Sequence, residues 1–233
     1  MIRKIIVGIA CLALVFDLSA QGAGNYQGRL EASWSPGSYV AAKPKQVGET
    51  VGSEFINEEW YYGNITLYTG EINGYPLKYS LLHSRMEILT DEGIKVLNQS
   101  QIKEFSWKSP ETLKEQTYVN GKEFSSDGVP ITGLLEVLYD NEMGLYKRSF
   151  LKVKKGTYIP SHDAGQAEDE YLIDEVYLVK IQGTLSEVSG KKDFLSLFGE
   201  QGDKIKDYSK ANKLSFKDTD DLIELIKFSE SIM

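Results

Sequence analysis

The sequence predicts an α+β protein, in which a mostly antiparallel β meander or curved sheet is followed by two to three short carboxyl-terminal helices. Two observations predict it. Over residues 49–189, short alternations of apolar and polar residues are separated by turn residues, as in antiparallel strands. After Gly190, the apolar residues recur at helical spacing instead. Strands that come first and helices that come last are typical of the α+β class.

The strands are predicted from the alternation and from the turns between them. Asp91-Glu92-Gly93 supplies one turn, and Asn120-Gly121 predicts a type I′ hairpin, because both residues tolerate positive φ. We expect about eight or nine strands in all, since most turns separate two alternating runs. The clearest strands are 77–81, 86–88, 94–96, 133–139, 145–153 and 171–181.

Three helices are predicted after Gly190, over 191–198, 204–211 and 218–232. In the last of them, one face carries Leu222, Leu225, Ile226 and Ser229. This face is expected to pack on the sheet, because an apolar stripe at a 3.6-residue period must be buried.

The stretch EWYYGNITLYTG, residues 59–70, places aromatic side chains around one glycine. Under strict alternation, Trp60 and Tyr62 would share a face with Tyr68. A β-bulge at Gly63 would shift this parity, because a bulge inserts one unpaired residue into a strand. We predict the bulge, with Trp60, Tyr62, Ile65 and Leu67 inside and with Asn64, Thr66 and Tyr68 outside.

The first 20 residues have the order of a secretory signal peptide. Arg3 and Lys4 precede an apolar run over 5–16, and small and polar residues follow it. This run is shorter than the roughly twenty residues of a membrane-spanning helix, so an uncleaved anchor is the weaker alternative. Acylation at Cys11 is another alternative. Residues 21–48 are rich in glycine and proline and are interpreted as an extended or poorly ordered leader, which Trp34 tethers to the domain.

Composition excludes several classes of protein. The chain carries a net charge of -8, and an acidic surface repels nucleic acid. Its single cysteine, Cys11, lies within the predicted signal peptide, so a disulfide framework and a cysteine metal site are not expected. We expect no transmembrane segment after cleavage, and a location in the periplasm, at the outer membrane or outside the cell.

Catalytic and metal-binding motifs are weakly represented. The chain has two histidines, His83 and His162, and Ser161-His162-Asp163 places the three residue types of a catalytic triad side by side. Adjacent side chains point in different directions, so this run is interpreted as a polar loop. Asp163 and residues 168–170 offer oxygen ligands for calcium, but not at the spacing of an EF-hand loop. We therefore predict no catalytic residue, no metal and no cofactor.

The 14 tyrosines and 3 tryptophans are the remaining candidates for a ligand-binding surface. Aromatic rings on an exposed sheet face can stack on sugars or anchor a partner protein, although core packing is the commoner use. The predicted ligand-binding residues are Trp60, Tyr61, Tyr68 and Tyr79.

The chain resembles a family of uncharacterised exported proteins of the Bacteroidetes. The resemblance rests on Glu59-Trp60, Gly63, the alternating residues 65–67 of a strand that Gly70 closes, and Leu77-Lys78-Tyr79. The segment GLLEVLYD, residues 133–140, and the closing segment from Phe194 to Phe228 are also similar. The family usually has Asn where this chain has Ser80. The resemblance implies an exported envelope protein and assigns no catalytic residue.

The leading hypothesis is a non-catalytic envelope or secreted protein that binds a partner protein, a glycan or a lipid through its curved sheet. The alternative is a hydrolase of an envelope or extracellular substrate that uses carboxylates such as Asp174 and Glu175. Facing carboxylates across a cleft would favour the hydrolase. A smooth apolar cavity would favour a lipid carrier, and exposed aromatic rows would favour a glycan.

Overall fold

The computed structural model describes residues 40–41, 50–111, 113–126, 129–157 and 168–233. The predicted signal peptide, most of the predicted leader and Ser161-His162-Asp163 lie outside these residues. Everything that follows concerns the described part of the chain.

The described residues form one mixed, curved sheet of 14 strands and three short helices, which confirms the predicted α+β class. The elements are β1 (Val40–Ala41), β2 (Thr50–Val51), β3 (Tyr61–Leu67), β4 (Glu71–Ser80), β5 (Arg85–Thr90), β6 (Gly93–Asn98), β7 (Ile102–Lys108), β8 (Glu115–Asn120), β9 (Ser125–Ser126), β10 (Val129–Pro130), β11 (Leu134–Asp140), β12 (Gly144–Lys154), β13 (Asp169–Ile181), β14 (Thr184–Val188), α1 (Lys191–Ser196), α2 (Gly202–Ala211) and α3 (Thr219–Ser231).

Along the sheet, the strands follow the order β1-β6-β5-β4-β3-β7-β8-β11-β12-β13-β14-β9-β10, and β2 pairs with β13. The pairs β2 with β13 and β9 with β14 are parallel, and the other pairs are antiparallel.

The predicted turn at Asp91-Glu92-Gly93 joins β5 to β6 and is confirmed, with Thr90 paired to Gly93. The predicted hairpin at Asn120-Gly121 is wrong. Asn120 has φ -72° and begins a 3₁₀ turn, and its side chain accepts a hydrogen bond from the Lys122 N–H. Asn120 also donates to the carbonyl oxygen of Ile102 at 2.7 Å, so tertiary bonding decided the conformation of this dipeptide.

The predicted irregularity at Gly63 exists, but the extra residue belongs to the neighbouring strand. Gly63 pairs with Tyr75 and Asn64 pairs with Asn73, so Gly74 is the unpaired residue. Gly74 has φ +75°, which a glycine adopts without strain. Because β3 itself has no insertion here, Tyr61 and Ile65 point inward together. The prediction that Tyr62 lies inside is wrong, since this residue is 53% exposed.

Gly63 is required because β3 lies very close to its neighbours. A Cβ atom at this position would lie 2.9 Å from both Leu77 Cδ1 and Trp107 Cβ, and closer still to the carbonyl oxygen of Ser106. Two of these atoms belong to β7, which pairs with β3. Only a residue without a side chain permits this approach.

We predict that Gly63→Ala lowers the free energy of unfolding by about 2 kcal/mol or more, because the added methyl group overpacks the space between β3 and β7. Urea unfolding followed by tryptophan fluorescence measures the loss. Gly190→Ser is the matched control, since Gly190 has an extended φ of 167° and open space around it. A loss of the same size in both variants would contradict the close approach at Gly63.

Cross-strand pairing defines two faces of the sheet. Tyr118, Glu136, Lys147 and Tyr177 are successive partners across β8, β11, β12 and β13, and they share what we call the inner face. Their neighbours Val119, Leu135 and Val176 lie on the outer face and belong to a third, smaller core.

Two larger hydrophobic cores lie on the inner face. The first covers β3 to β8 and is centred on aromatic rings, with Phe105 stacked on Tyr118 at 4.5 Å between centroids and Trp107 at 4.8 Å from Phe105. The second lies between the helices and β11 to β14. Leu222, Leu225, Ile226 and Ser229 of α3 are all buried, as predicted.

Glu230 fastens the end of α3 to the turn between β11 and β12. Its carboxylate accepts hydrogen bonds from the Tyr139 hydroxyl at 2.7 Å and from the Met143 N–H at 2.6 Å. Partial burial would raise the pKa of Glu230, but these bonds, together with Asn141 and the charge of Lys180, outweigh it and lower the pKa below its ordinary value of 4.5.

We predict that Glu230→Gln lowers the free energy of unfolding near pH 7 by about 1 kcal/mol, since Gln keeps the shape of the side chain but loses the charge-assisted strength of these half-buried bonds. A carboxylate with a lowered folded pKa stabilises the protein above its unfolded pKa, and the effect is lost as the pH falls through the folded pKa. The two proteins should therefore converge in urea titrations as the pH falls below the folded pKa of Glu230. Glu200→Gln, in an exposed turn, is the control and should match the wild type throughout. A pH-independent difference for Glu230→Gln would contradict the argument.

Candidate functional site

The four aromatic residues predicted to bind a ligand lie in different environments. Tyr61 and Tyr79 belong to the first core: Tyr61 contacts the ring of Trp107 edge-on, and Tyr79 is 3% exposed. The Tyr79 hydroxyl donates to Gln99 Oε1 at 2.6 Å, and burial raises the pKa of this tyrosine. Both residues thus act mainly as core residues.

Trp60 and Tyr68 lie near opposite ends of β3, roughly 26 Å apart at the rise of an extended strand. The ammonium of Lys78 lies 5.2 Å from the Trp60 ring. Tyr68 donates to Glu123 at 2.6 Å, and partial burial with this bond raises the pKa of Tyr68 to about 12. The structure therefore does not bring the four aromatic residues into one surface.

The structure instead shows a half-open cleft of about 790 Å³ between two distant parts of the chain. One wall is the turn after β4 and the turn after β6. The other wall is the start of β11 and the middle of β12. The lining residues are Tyr79, Leu81, Leu82, His83, Ser84, Asn98, Gln99, Ser100, Thr132, Gly133, Leu134, Arg148, Ser149, Phe150, Leu151 and Val153.

The cleft follows an open edge of the sheet. β12 pairs with β13 along all of its 11 residues, from Gly144 to Lys154. Its other neighbour, β11, begins at Leu134 and pairs with β12 only as far as Arg148. Among the described residues, 149–154 therefore have no strand on the side of the cleft. We call this segment the open edge.

The open edge has side chains of different character on its two faces. Ser149, Leu151 and Val153 continue the inner face, and their partners on β13 include Ile173. Val153 and Ile173 are 42% and 41% exposed. The inner face beside the cleft is therefore apolar and accessible.

Residues 50–56 connect the two walls of the cleft. Val51 of β2 pairs with Glu170 of β13, and the Leu81 N–H donates to the carbonyl oxygen of Glu54 at 2.8 Å. Between these contacts, Gly52 has φ +94°, and a Cβ there would lie 2.6 Å from the carbonyl oxygen of Tyr171. This short segment therefore links β13, which pairs with β12, to the turn after β4.

The wall beyond the open edge contains a histidine next to a buried carboxylate. His83 Nε2 lies 3.8 Å from Glu54 Oε2, and the Ser80 hydroxyl donates to Glu54 Oε1 at 3.3 Å. The Ser80 oxygen accepts the backbone N–H of His83 rather than bonding to its imidazole. The three residues are thus not arranged as a nucleophile and its base.

A second polar cluster lies between the two large cores on the inner face. Lys147 Nζ contacts Glu136 Oε2 at 3.0 Å and Glu175 Oε1 at 3.1 Å. Gln116 donates to Glu136 at 3.2 Å and accepts the Trp107 indole N–H at 3.0 Å. Burial would lower the pKa of Lys147, but the charges and hydrogen bonds of the two glutamates outweigh it and raise this pKa. Lys147 therefore shares its single positive charge between two carboxylates within the sheet.

Asp174 and Glu175, the carboxylates proposed for a hydrolase, point to opposite faces of β13. Glu175 is paired with Ser149 on the inner face, and Asp174 is paired with Phe150 on the outer face. Asp174 lies 3.8 Å from Lys152 Nζ. Adjacent residues of a strand cannot face each other across a cleft, so these two do not form a catalytic carboxylate pair.

Within the described ranges, no three histidine, cysteine or acidic side chains converge on a possible metal position. Of the residues considered for calcium, Asp163 lies outside the described residues. Asp169 and Glu170 bond to Lys155 at 2.6 Å and to Lys154 at 3.0 Å. None of the helices in the described part of the chain has the length and apolar character needed to cross a membrane.

Comparison of this chain with protein families, curated proteins and solved structures finds no match. The assignment of function must therefore rest on the sequence and on the geometry of the cleft.

The cleft could not be predicted from periodicity, because its walls come from two separate parts of the chain, within residues 79–100 and within residues 132–153. One sequence signal does point to it. The predicted strand 145–153 is longer than the strand 133–139 that precedes it. A hairpin of two unequal strands leaves part of the longer strand without a neighbour.

We predict that Lys147→Met lowers the free energy of unfolding by about 3 kcal/mol, because Glu136 stays buried without its counter-charge. Urea unfolding measures the loss. Lys152→Met is the control on the same strand, and it should cost less than about 1 kcal/mol since Lys152 and Asp174 are both exposed. Adding Glu136→Leu to Lys147→Met should restore most of the stability. Equal losses in the two single variants would contradict a stabilising role for the cluster.

Proposed function

We propose that the protein is a non-catalytic exported protein of the cell envelope or the extracellular space, and that it binds a partner protein in the cleft beside β12. The observation that carries the proposal is the open edge, which borders a cleft of about 790 Å³. A ligand site of this size is common in proteins. Support for export comes from the charged, apolar and small-residue order of residues 1–20.

The character of the cleft favours a polypeptide over the other two ligand classes. A lipid carrier encloses an apolar cavity, whereas this cleft is half-open and contains the polar residues His83, Asn98, Gln99 and Ser149. A glycan site would present exposed aromatic rings for stacking on sugars. Of the tyrosine and phenylalanine rings in the described lining, Tyr79 is buried and Phe150 alone is exposed, at 37%, so there is no row of exposed rings. A protein partner uses both the apolar side chains and the polar backbone of a strand edge.

The geometry of the polar groups favours binding over hydrolysis. The hydrolase remains the alternative, but Asp174 and Glu175 lie on opposite faces of β13. On the inner face, Glu175 and Glu136 share the ammonium of Lys147, which stabilises the sheet between two cores. Their described contacts account for both glutamates without a catalytic role.

We predict that a polypeptide co-purifies with the protein from its own cell envelope and that Val153→Lys reduces its recovery about tenfold, the effect of losing about 1.4 kcal/mol of binding energy. Affinity capture followed by mass spectrometry of bound proteins, glycans and lipids measures this. Leu172→Lys is the matched control, because Leu172 is 39% exposed on the outer face of the same hairpin. Its recovery of the polypeptide should not fall below that of the wild type.

Three outcomes would contradict this function. Equal recovery with Val153→Lys and the wild type would place the binding surface elsewhere. Capture of a glycan or a lipid without a polypeptide would change the ligand class. Hydrolysis of an envelope polymer that is lost in Glu175→Gln would favour the alternative.

A further inference from the structure

We propose that the partner binds as an extended segment that adds a strand to the sheet along the open edge, residues 149–154, and that this segment alternates apolar with acidic side chains. The inference rests on the proposed function and names the form and the chemistry of the partner.

The first argument is the hydrogen-bonding capacity of the open edge. In an antiparallel pair, every second residue directs its N–H and C=O to a given neighbour. Within 149–154, alternate residues bond to β13, and the others direct these groups towards the cleft. Unpaired backbone groups on a strand edge are a template for another extended chain. Six residues of such a chain would span roughly 20 Å along the edge.

The second argument is the position of the cleft relative to β11. β11 pairs with one side of β12 only up to the pair of Leu135 with Arg148. An added strand would lie on the same side of β12 as β11. It would end against Thr132 and Gly133, which line the cleft. The turns that contain His83 and Gln99 would lie on the other side of the added strand. The site for the added strand is thus a cleft with two walls, rather than a flat surface.

The third argument concerns the side chains that the added strand would meet. Directly opposite residues in paired strands share a face of the sheet. On the inner face, the partner would meet Leu151 and Val153, which favour apolar β-branched residues. On the outer face it would meet Phe150, Lys152 and Lys154. Acidic residues of the partner would pair favourably with this lysine row.

The distribution of charge agrees with an acidic partner. The chain as a whole has a net charge of -8, yet the part of the cleft lining that the structure describes contains no Asp or Glu and includes Arg148. The carboxylates that pair with Arg148, Lys152 and Lys154 are Glu187, Asp174 and Glu170. All three lie on β13 or β14, on the side away from the cleft.

The lysine row also disfavours a second copy of this chain as the occupant. Two copies that paired along this edge with their apolar faces continuous would bring the outer-face lysines of both strands together. Opposed like charges destabilise a strand pair. Inward or edge lysines are a common means of preventing such association.

Backbone amide exchange tests the inference directly. The probes are two octapeptides in which Val and Thr occupy alternate positions, one with Asp and the other with Lys in the remaining positions. In the free protein, we expect the alternate amides of 149–154 that face the cleft to exchange fast. Saturating Asp peptide should slow their exchange at least about tenfold, since fast exchange reports exposed hydrogen-bonding groups.

Charge and position are tested with the same peptides. The Lys peptide should bind at least about tenfold more weakly than the Asp peptide, because it places like charges beside the lysine row. Val153→Lys should weaken binding of the Asp peptide by a similar factor, whereas Leu172→Lys, which adds a cation beside Lys152 on the outer face, should not weaken it. Isothermal titration measures both affinities.

The outcomes separate this inference from the proposed function. Binding without protection of the amides in 149–154 would overturn strand addition, as would protection already present in the free protein. No preference for the Asp peptide would overturn the acidic partner. A dimer in sedimentation with the same amides protected would make a second copy the occupant. In each case, capture of a polypeptide that depends on Val153 would leave the proposed function standing, and the loss of that dependence would overturn both.

Discussion

The pairing of β12 with β13 is the interaction on which the rest of the structure depends. The ladder runs without a register shift from the pair of Gly144 with Lys180 to the pair of Lys154 with Glu170. One end carries the helices, since Leu145 and Val179 are part of the second core. The other end extends beyond the start of β11 and forms one wall of the cleft. A single hairpin thus connects the helical layer, the sheet and the candidate site.

The surroundings of the inner face of β12 change at Lys147. Towards Gly144 the inner face of β12 is buried under helices, and towards Lys154 it borders open space. Burying an ion pair costs desolvation, and the pair repays this only with good geometry and further hydrogen bonds. Here Gln116 and Ser149 supply those bonds to the glutamates, and Trp107 connects the network to the first core. The two cores are consequently joined by directional contacts that cross β8, β11, β12 and β13.

The sequence predicted most of the fold because its signals are local. Alternation and helical spacing depend on side chains that are two to four residues apart, so the strands around Leu77 and Leu134 and the buried face of α3 were predicted. The errors arose where a distant contact decides the conformation. Asn120 follows its bonds to Ile102 rather than its turn propensity. Tyr62 is exposed because the extra residue of the bulge is Gly74, and nothing in residues 59–70 distinguishes an insertion on β3 from one on its neighbour.

The candidate site was harder to predict, because an open edge is a property of three strands and not of one. The length of β12 was visible in the sequence, but the position of its neighbours was not. The charges of the hairpin carry further information. If the open edge served only to prevent aggregation, charges on both of its faces would do so most effectively. The hairpin instead places lysines on the outer face and leaves Leu151, Val153 and Ile173 on the inner face. This asymmetry leaves the edge available to a strand of complementary pattern while it disfavours its own copy, which is how an interface achieves specificity through repulsion as well as attraction.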